Sequence, residues 1–84
     1  MTQQATKVIL PKSGMGIEEG TVARWTKSVG DRVQQGEVLA EVETAKALQE
    51  VEAPVSGTLV EITVPVGGVA AVYATLALIA DEHG

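Results

Sequence analysis

The sequence predicts a small all-β fold, a sandwich or barrel of short strands. Runs rich in Val, Ile, Leu and Thr alternate with glycine turns about every eight to twelve residues, a spacing typical of such folds. No segment keeps an apolar period of about 3.6 residues over three turns, so helix is not expected. With 84 residues and no Cys, the chain is expected to form one domain without disulfides or thiolate metal ligands.

Short strands are predicted along the whole chain, in order. Three prolines, Pro11, Pro54 and Pro65, lie at strand ends, where a missing N–H costs little. Residues 1–7 are expected to be a disordered lead-in and 81–84 a tail, which leaves 8–80 as the folded domain. The predicted strands are Val8–Leu10, Thr21–Lys27, Arg32–Val33, Val38–Glu43, Leu48–Ala53, Thr58–Thr63, Val69–Ala71 and Thr75–Ala80.

The second half of the chain repeats the first. Residues 37 positions apart match, for example Gly20-Thr21 with Gly57-Thr58 and Val29-Gly30 with Val66-Gly67. Before Gly20 the offset becomes 43, which marks Met15–Gly20 as an insertion in the first half. Two copies of one β unit are predicted to form two sheets related by a pseudo-two-fold axis.

The repeat also predicts which side chains face the core. Ala23 and Trp25 fall opposite Val60 and Ile62 at the same offset. Because alternate residues of a strand share one face, all four are predicted to point inward.

Charge is distributed unevenly. All six Lys and Arg residues lie at or before Lys46, whereas acidic residues continue beyond it, and the net charge is −5. An acidic chain of this kind argues against nucleic-acid binding. No apolar run is long enough to cross a membrane and the start does not resemble a secretory signal, so no membrane partner is expected. The lack of Cys suits a cytoplasmic location, and the isolated domain is expected to be a monomer.

A lysine stands between two predicted strands. The connection Thr44–Ala47 fits a hairpin built around a type I turn, with Lys46 exposed at the tip. A Schiff-base lysine needs a dry pocket or a neighbouring cation, and the sequence indicates neither. No nucleophile is paired with a base, and a single His does not make a metal site. Lys46 is therefore interpreted as an attachment point, with no catalytic residue and no metal ligand predicted.

Several motifs together resemble one family. The chain resembles the lipoyl domains of 2-oxo acid dehydrogenase complexes, within the biotinyl/lipoyl carrier superfamily, from Val8 to about Ile79. It looks closer to the pyruvate and acetoin types than to the branched-chain type. The motifs that carry the resemblance are Leu10-Pro11-Lys12-Ser13-Gly14-Met15, Glu19-Gly20-Thr21-Val22, Val29-Gly30-Asp31, Glu43-Thr44-Ala45-Lys46-Ala47 and Glu52-Ala53-Pro54-Val55-Ser56-Gly57.

The resemblance implies both a fold and a function. It implies a flattened barrel of two four-stranded antiparallel sheets, a barrel-sandwich hybrid, with lipoate joined to Lys46 as an amide. Such a swinging arm carries acyl groups and reducing equivalents, while the domain itself catalyses nothing. The implied attachment turn comprises Lys46 with Glu43, Thr44, Ala45 and Ala47, and the implied recognition loop comprises Met15, Gly16, Ile17, Glu18 and Glu19.

The implied partners are enzymes that load or use the arm. A lipoate ligase or lipoyl transferase would attach the cofactor, and a thiamin-diphosphate-dependent dehydrogenase component would acylate it. An acyltransferase core would accept the acyl group, and a flavoprotein dihydrolipoamide dehydrogenase would reoxidise the dithiol.

Three departures from the family pattern and two alternatives accompany this interpretation. Ala45 replaces the usual Asp before the lysine. Gly68 stands where the repeat partner is Asp31, and Tyr73 stands where it is Gly36. If Gly36 needs positive φ, the turn at Tyr73 is predicted to be built differently.

A biotinyl carrier domain of a carboxylase is the first alternative, although such domains typically have Met on both sides of the lysine rather than Ala45 and Ala47. An unmodified barrel-sandwich docking module is the second.

Overall fold

Two four-stranded antiparallel sheets make up the fold. The computed structural model describes residues 5–12 and 16–81, and no helix long and apolar enough to cross a membrane occurs among them. The strands are β1 (Ala5–Ile9), β2 (Glu19–Trp25), β3 (Arg32–Val33), β4 (Val38–Glu43), β5 (Leu48–Glu52), β6 (Gly57–Ile62), β7 (Val69–Ala71) and β8 (Thr75–Asp81). One sheet has the strand order β1-β8-β6-β3 and the other β5-β4-β2-β7. The predicted fold class is confirmed.

Aliphatic side chains from both sheets fill the core. Leu39, Leu59, Leu76 and Ile79 have no exposed surface, and no polar or charged side chain is buried among the described residues. Strand β6 illustrates the alternation that builds this core, since Leu59 points inward while its neighbours Thr58 and Val60 have greater exposure. A core made of small aliphatic residues suits two closely packed sheets and places the connecting turns at the surface.

The pseudo-two-fold symmetry is present in the hydrogen bonds. Strands β1 to β4 correspond to β5 to β8, and the two sheet orders are interchanged by this exchange. The Gly30 N–H donates to the Leu59 carbonyl at 2.7 Å, and the equivalent Gly67 N–H donates to the Val22 carbonyl at 2.8 Å. In each half, therefore, a turn N–H donates to a strand carbonyl of the other half, so neither half has all its hydrogen bonds when alone.

The prediction that Ala23 and Val60 point inward is wrong, because each lies at one of two equivalent β-bulges. In β2 the pairing with β4 shifts between Val22 and Arg24, and in β6 the pairing with β8 shifts between Leu59 and Glu61. A bulge inserts one residue into the alternation. Consequently Ala23 and Val60 are exposed, whereas Trp25 and Ile62 are half-buried against the core.

Strand β1 begins at Ala5, inside the segment assigned above to a disordered lead-in. Ala5 pairs with Ala80 and Thr6 with Ile79, and the Thr6 hydroxyl donates to Asp81 Oδ1 at 2.6 Å. Strand β8 correspondingly includes Asp81, which had been assigned to the tail. The polar composition at these positions gave no strand signal, but an adjacent strand supplies the missing hydrogen-bond partners. Residues 1–4 and 82–84 lie outside the described residues.

The turn at Tyr73 is built like the turn at Gly36, contrary to the expectation above. Tyr73 has φ +73° and Gly36 has φ +89°. The Gly36 N–H donates to Ala53 O at 2.9 Å, and the Tyr73 N–H donates to the equivalent Leu10 O at 2.7 Å. The repeated hydrogen bond imposes the left-handed conformation on tyrosine, whose side chain remains 63% exposed.

Candidate functional site

The hairpin of β4 and β5 carries the candidate site at its tip. Glu43, the last residue of β4, pairs with Leu48, the first residue of β5, and the Thr44 N–H donates to the Ala47 carbonyl at 3.0 Å. Neither Ala45 nor Lys46 has positive φ, so the connection is not one of the primed hairpin turns. The four predicted connecting residues therefore form the loop, with Ala45 and Lys46 at its end.

The Thr44 hydroxyl closes this turn. It donates to the Ala47 carbonyl at 2.8 Å, and it accepts from the backbone N–H groups of Ala47 at 3.2 Å and Lys46 at 3.3 Å. In a hydrogen-bonded type I turn the Ala47 N–H would bond to the Thr44 carbonyl, so the side chain has taken over the role of the main chain. A hydroxyl has one donor and two acceptor sites, and all three are used here.

Lys46 is presented to solvent without a partner that would hold its amine. Ala45, Lys46 and Ala47 are all exposed. In the described part of the chain, ion pairs join Arg24 to Glu41 and Lys27 to Glu37, and neither involves Lys46. The amine is therefore free to be reached by a modifying enzyme.

Strand β2 passes so close to the turn that a side chain at position 20 would displace the hairpin. A Cβ on Gly20 would overlap the Val42 side chain and would lie 3.2 Å from Glu43 O and 3.4 Å from Thr44 Cγ2. Its repeat partner Gly57 is constrained more tightly, because a Cβ there would overlap the backbone carbonyl oxygen of Ala80. The sequence analysis did not assign Gly20 to the site, although its match with Gly57 was the signal that could have identified it.

The predicted recognition loop lies partly beside the lysine turn. Ile17 is buried and lines the same groove as Lys46, and Glu19 lines a recess on the other side with Thr44 and Ala45. Gly16 and Glu18 are exposed, and the Glu18 carbonyl accepts from the Val72 N–H at 2.9 Å. The remaining member of the predicted set, Met15, lies outside the described residues.

An open groove of about 560 Å³ begins at Lys46. Its apolar part comes from Ile17 and Leu48, and Leu48 is 54% exposed although it is a large aliphatic residue. Gln49 also lines the groove, and its buried Oε1 has no hydrogen-bond partner. Ile17 was predicted as part of the recognition loop, whereas Leu48 and Gln49 were not predicted as site residues, because residue 17 and residues 48–52 come together only after folding. The acidic residues of the lining, here named the rim, are Glu41, Glu50 and Glu52.

Comparison with known proteins defines the class to which this fold and hairpin belong. The profile of the biotin/lipoyl family, described as "Biotin-requiring enzyme", matches residues 6–79. The chain therefore belongs to the biotin/lipoyl domain family.

Within this family, the chain is homologous to lipoyl domains. It is 46% identical over 63 residues to the dihydrolipoyllysine-residue acetyltransferase component of the acetoin cleaving system of Bacillus subtilis. It is 49% identical over 70 residues to the corresponding component of the pyruvate dehydrogenase complex of Mycobacterium tuberculosis. These alignments include 75% and 76% of this chain but only 16% and 13% of the relatives.

A solved structure supports the same assignment. The lipoyl domain of the 2-oxoglutarate dehydrogenase complex from Azotobacter vinelandii superposes with a TM-score of 0.72 at 31% identity. The match covers 93% of this chain and 98% of that domain. The expected family and fold are thus confirmed, and the chain is a domain of the lipoyl type.

Proposed function

We propose that Lys46 carries lipoate in amide linkage and that the chain acts as a swinging-arm carrier rather than as a catalyst. The observation that carries this proposal is the exposed Lys46 at the tip of a hairpin whose Thr44 hydroxyl bonds to both Lys46 and Ala47. The lipoyl-type fold and the acyltransferase relatives support the choice of cofactor.

The residues present fit an amide-linked group. In the attachment step, Lys46 Nζ forms a bond to the carboxyl carbon of an activated lipoyl ester or thioester. The bond from that carbon to the ester or thiol leaving group breaks, and the nitrogen gives up two of its ammonium protons overall. Because Lys46 forms no ion pair with a described carboxylate, loss of its charge leaves none of these carboxylates unpaired.

Carrying lipoate requires little chemistry from the domain itself. Bound lipoate supplies a dithiolane that can be reduced and acylated. The chain holds Lys46 on a rigid hairpin, and a tether raises the local concentration of the carried group at neighbouring sites to roughly the millimolar range. The proposed partners in the cytoplasm are a lipoyl-attaching enzyme, a thiamin-diphosphate-dependent dehydrogenase component, an acyltransferase core and a flavoprotein dihydrolipoamide dehydrogenase.

Intact mass with peptide mapping tests the proposal. The chain would be expressed with lipoate, biotin and both attachment enzymes available, beside Lys46→Arg as the matched control. We expect a lipoyl increment on Lys46 and an unmodified but normally folded Lys46→Arg variant that cannot support acyl transfer. Since amide formation removes one positive charge from a chain of net charge −5, native electrophoresis gives an independent readout.

Three results would overturn the proposal. A biotinyl increment on Lys46 would assign the chain to carboxylases. An unmodified lysine in the presence of active attachment enzymes would indicate a docking module, with Ala45 as the first position to restore to Asp. Acyl transfer by a folded Lys46→Arg variant would exclude Lys46 as the attachment point.

A further inference from the structure

A groove lies directly beside Lys46, the residue whose carried group is expected to move freely. It begins at the lysine, holds about 560 Å³ and has an apolar part formed by Ile17 and Leu48. Volumes of this order accommodate small organic ligands. Leu48 directly follows the turn and is 54% exposed, so an aliphatic side chain stands in water next to the attachment point.

The residues that line the groove favour some bound groups over others. A free apolar ligand would bind weakly, since the groove is open and few apolar side chains contribute to it. A tethered group needs much less intrinsic affinity, because its effective concentration is already around the millimolar range. The acidic rim disfavours an anionic group but does not oppose a neutral one.

The geometry points to a resting site for the carried group: we infer that the neutral dithiolane on Lys46 folds back into this groove, against Leu48 and Ile17. This inference rests on the proposed lipoylation of Lys46. The seated arm leaves water when idle and is released for each encounter with a partner. The seated dithiolane covers the exposed Leu48 in the same step.

An unpaired acceptor adds a second feature to the groove. Gln49 lines it, and the Gln49 Oε1 has no hydrogen-bond partner. Attachment of lipoate turns the lysine amine into an amide, which adds an N–H donor to the same lining as this acceptor.

The first test is nuclear magnetic resonance of the lipoylated chain, after intact mass has verified the modification. We expect nuclear Overhauser contacts between the dithiolane protons and the methyl groups of Leu48 and Ile17, with no such contact to Val60. Val60 is a suitable internal control because it is 44% exposed and lies in the opposite sheet.

The second test is the rate at which a small phosphine reductant opens the dithiolane. If about two-thirds of the arms are seated, reduction of the wild-type chain is about threefold slower than that of free lipoamide. Leu48→Thr should restore the faster rate, whereas Val60→Thr should leave the slower rate unchanged. Both variants replace an exposed aliphatic residue by a β-branched polar residue, so neither is expected to unfold the domain.

The outcomes separate this inference from the proposed function. Absence of lipoate on Lys46 would overturn both. A lipoylated chain without contacts to Leu48, and with equal reduction rates in all variants, would overturn the resting site alone. Perturbation of Leu48 only after addition of the dehydrogenase component would also overturn it and would assign the groove to partner docking.

Discussion

Among single side chains, Thr44 is predicted to hold the turn that presents Lys46. Thr44→Val removes a hydroxyl that makes three hydrogen bonds within the turn while keeping the branched shape. Because the residue is partly exposed and water can replace some of these bonds, we expect the free energy of unfolding to fall by about 1 kcal/mol. We also expect slower lipoylation of Lys46. Urea denaturation and a time course of intact mass measure the two effects.

Thr44→Ser is the matched control for this prediction. Serine keeps the hydroxyl and loses only a methyl group, so both stability and modification rate should stay near those of wild type. Equal lipoylation rates for Thr44→Val and Thr44→Ser would show that the hydroxyl does not shape the turn for the attaching enzyme.

Tyr73 stores backbone strain away from the site. A non-glycine residue in the left-handed region costs roughly 1–2 kcal/mol, and Tyr73 has φ +73° with a largely exposed ring. We therefore expect Tyr73→Gly to raise the free energy of unfolding by about 1 kcal/mol, as measured by chemical denaturation. The converse substitution, Gly36→Ala, should lower it by a similar amount. A destabilised Tyr73→Gly variant would mean that ring packing outweighs the backbone strain.

Among strands and turns, the close approach of β2 to β4 connects the sheet to the lysine turn. Gly20→Ala would push a methyl group against Val42 and towards Thr44. Overpacking of this kind typically costs about 1–3 kcal/mol, and here part of the displacement should reach the turn. We expect both a lower denaturation midpoint and slower lipoylation.

The repeat offers a matched control for that prediction. Gly57→Ala creates an equivalent clash with the Ala80 carbonyl, in the sheet that does not carry Lys46. It should destabilise the fold at least as much while leaving the lipoylation rate of the folded fraction unchanged. If both variants slowed lipoylation equally at matched stability, Gly20 would have only a structural role.

For the domain as a whole, acid stability is predicted to depend on Glu37. The Gln34 N–H, which donates to Glu37 Oε1 at 3.0 Å, and then Lys27, whose Nζ lies 3.0 Å from Glu37 Oε2, hold the pKa of Glu37 below its usual 4.5. A carboxyl group with a lowered pKa in the folded state stabilises the fold above its unfolded pKa, and this contribution is lost as pH falls through the folded value. Stability should therefore decline in the acid range below 4.5.

Denaturation midpoints measured across the acid range check this pH dependence. Glu37→Gln should show a shallower decline than wild type, and Lys27→Met should lie between the two because it removes only the second of the two causes. A Glu37→Gln variant with the wild-type slope would assign the acid sensitivity to other carboxylates.

Much of this architecture could be predicted from local sequence patterns. The eight strands were predicted with most bounds within two residues, because period-two alternation and glycine turns are properties of neighbouring residues. The offset of 37 between Gly20 and Gly57 likewise predicted the two-fold arrangement. The hairpin with Lys46 exposed was predicted from a short connection between two strong strands. The family resemblance then implied lipoate as the group attached to Lys46.

The remaining features arise between segments that are distant along the chain. The bulge at Ala23 becomes visible only in the pairing of β2 with β4, and the strand conformation of Ala5 depends on its pairing with β8. The groove exists because folding brings Ile17 and Leu48 into the lining of one surface. Local patterns fix which residues can form strands and turns, whereas register, close contact and shared surfaces depend on cross-strand hydrogen bonds and packing, which no local segment encodes.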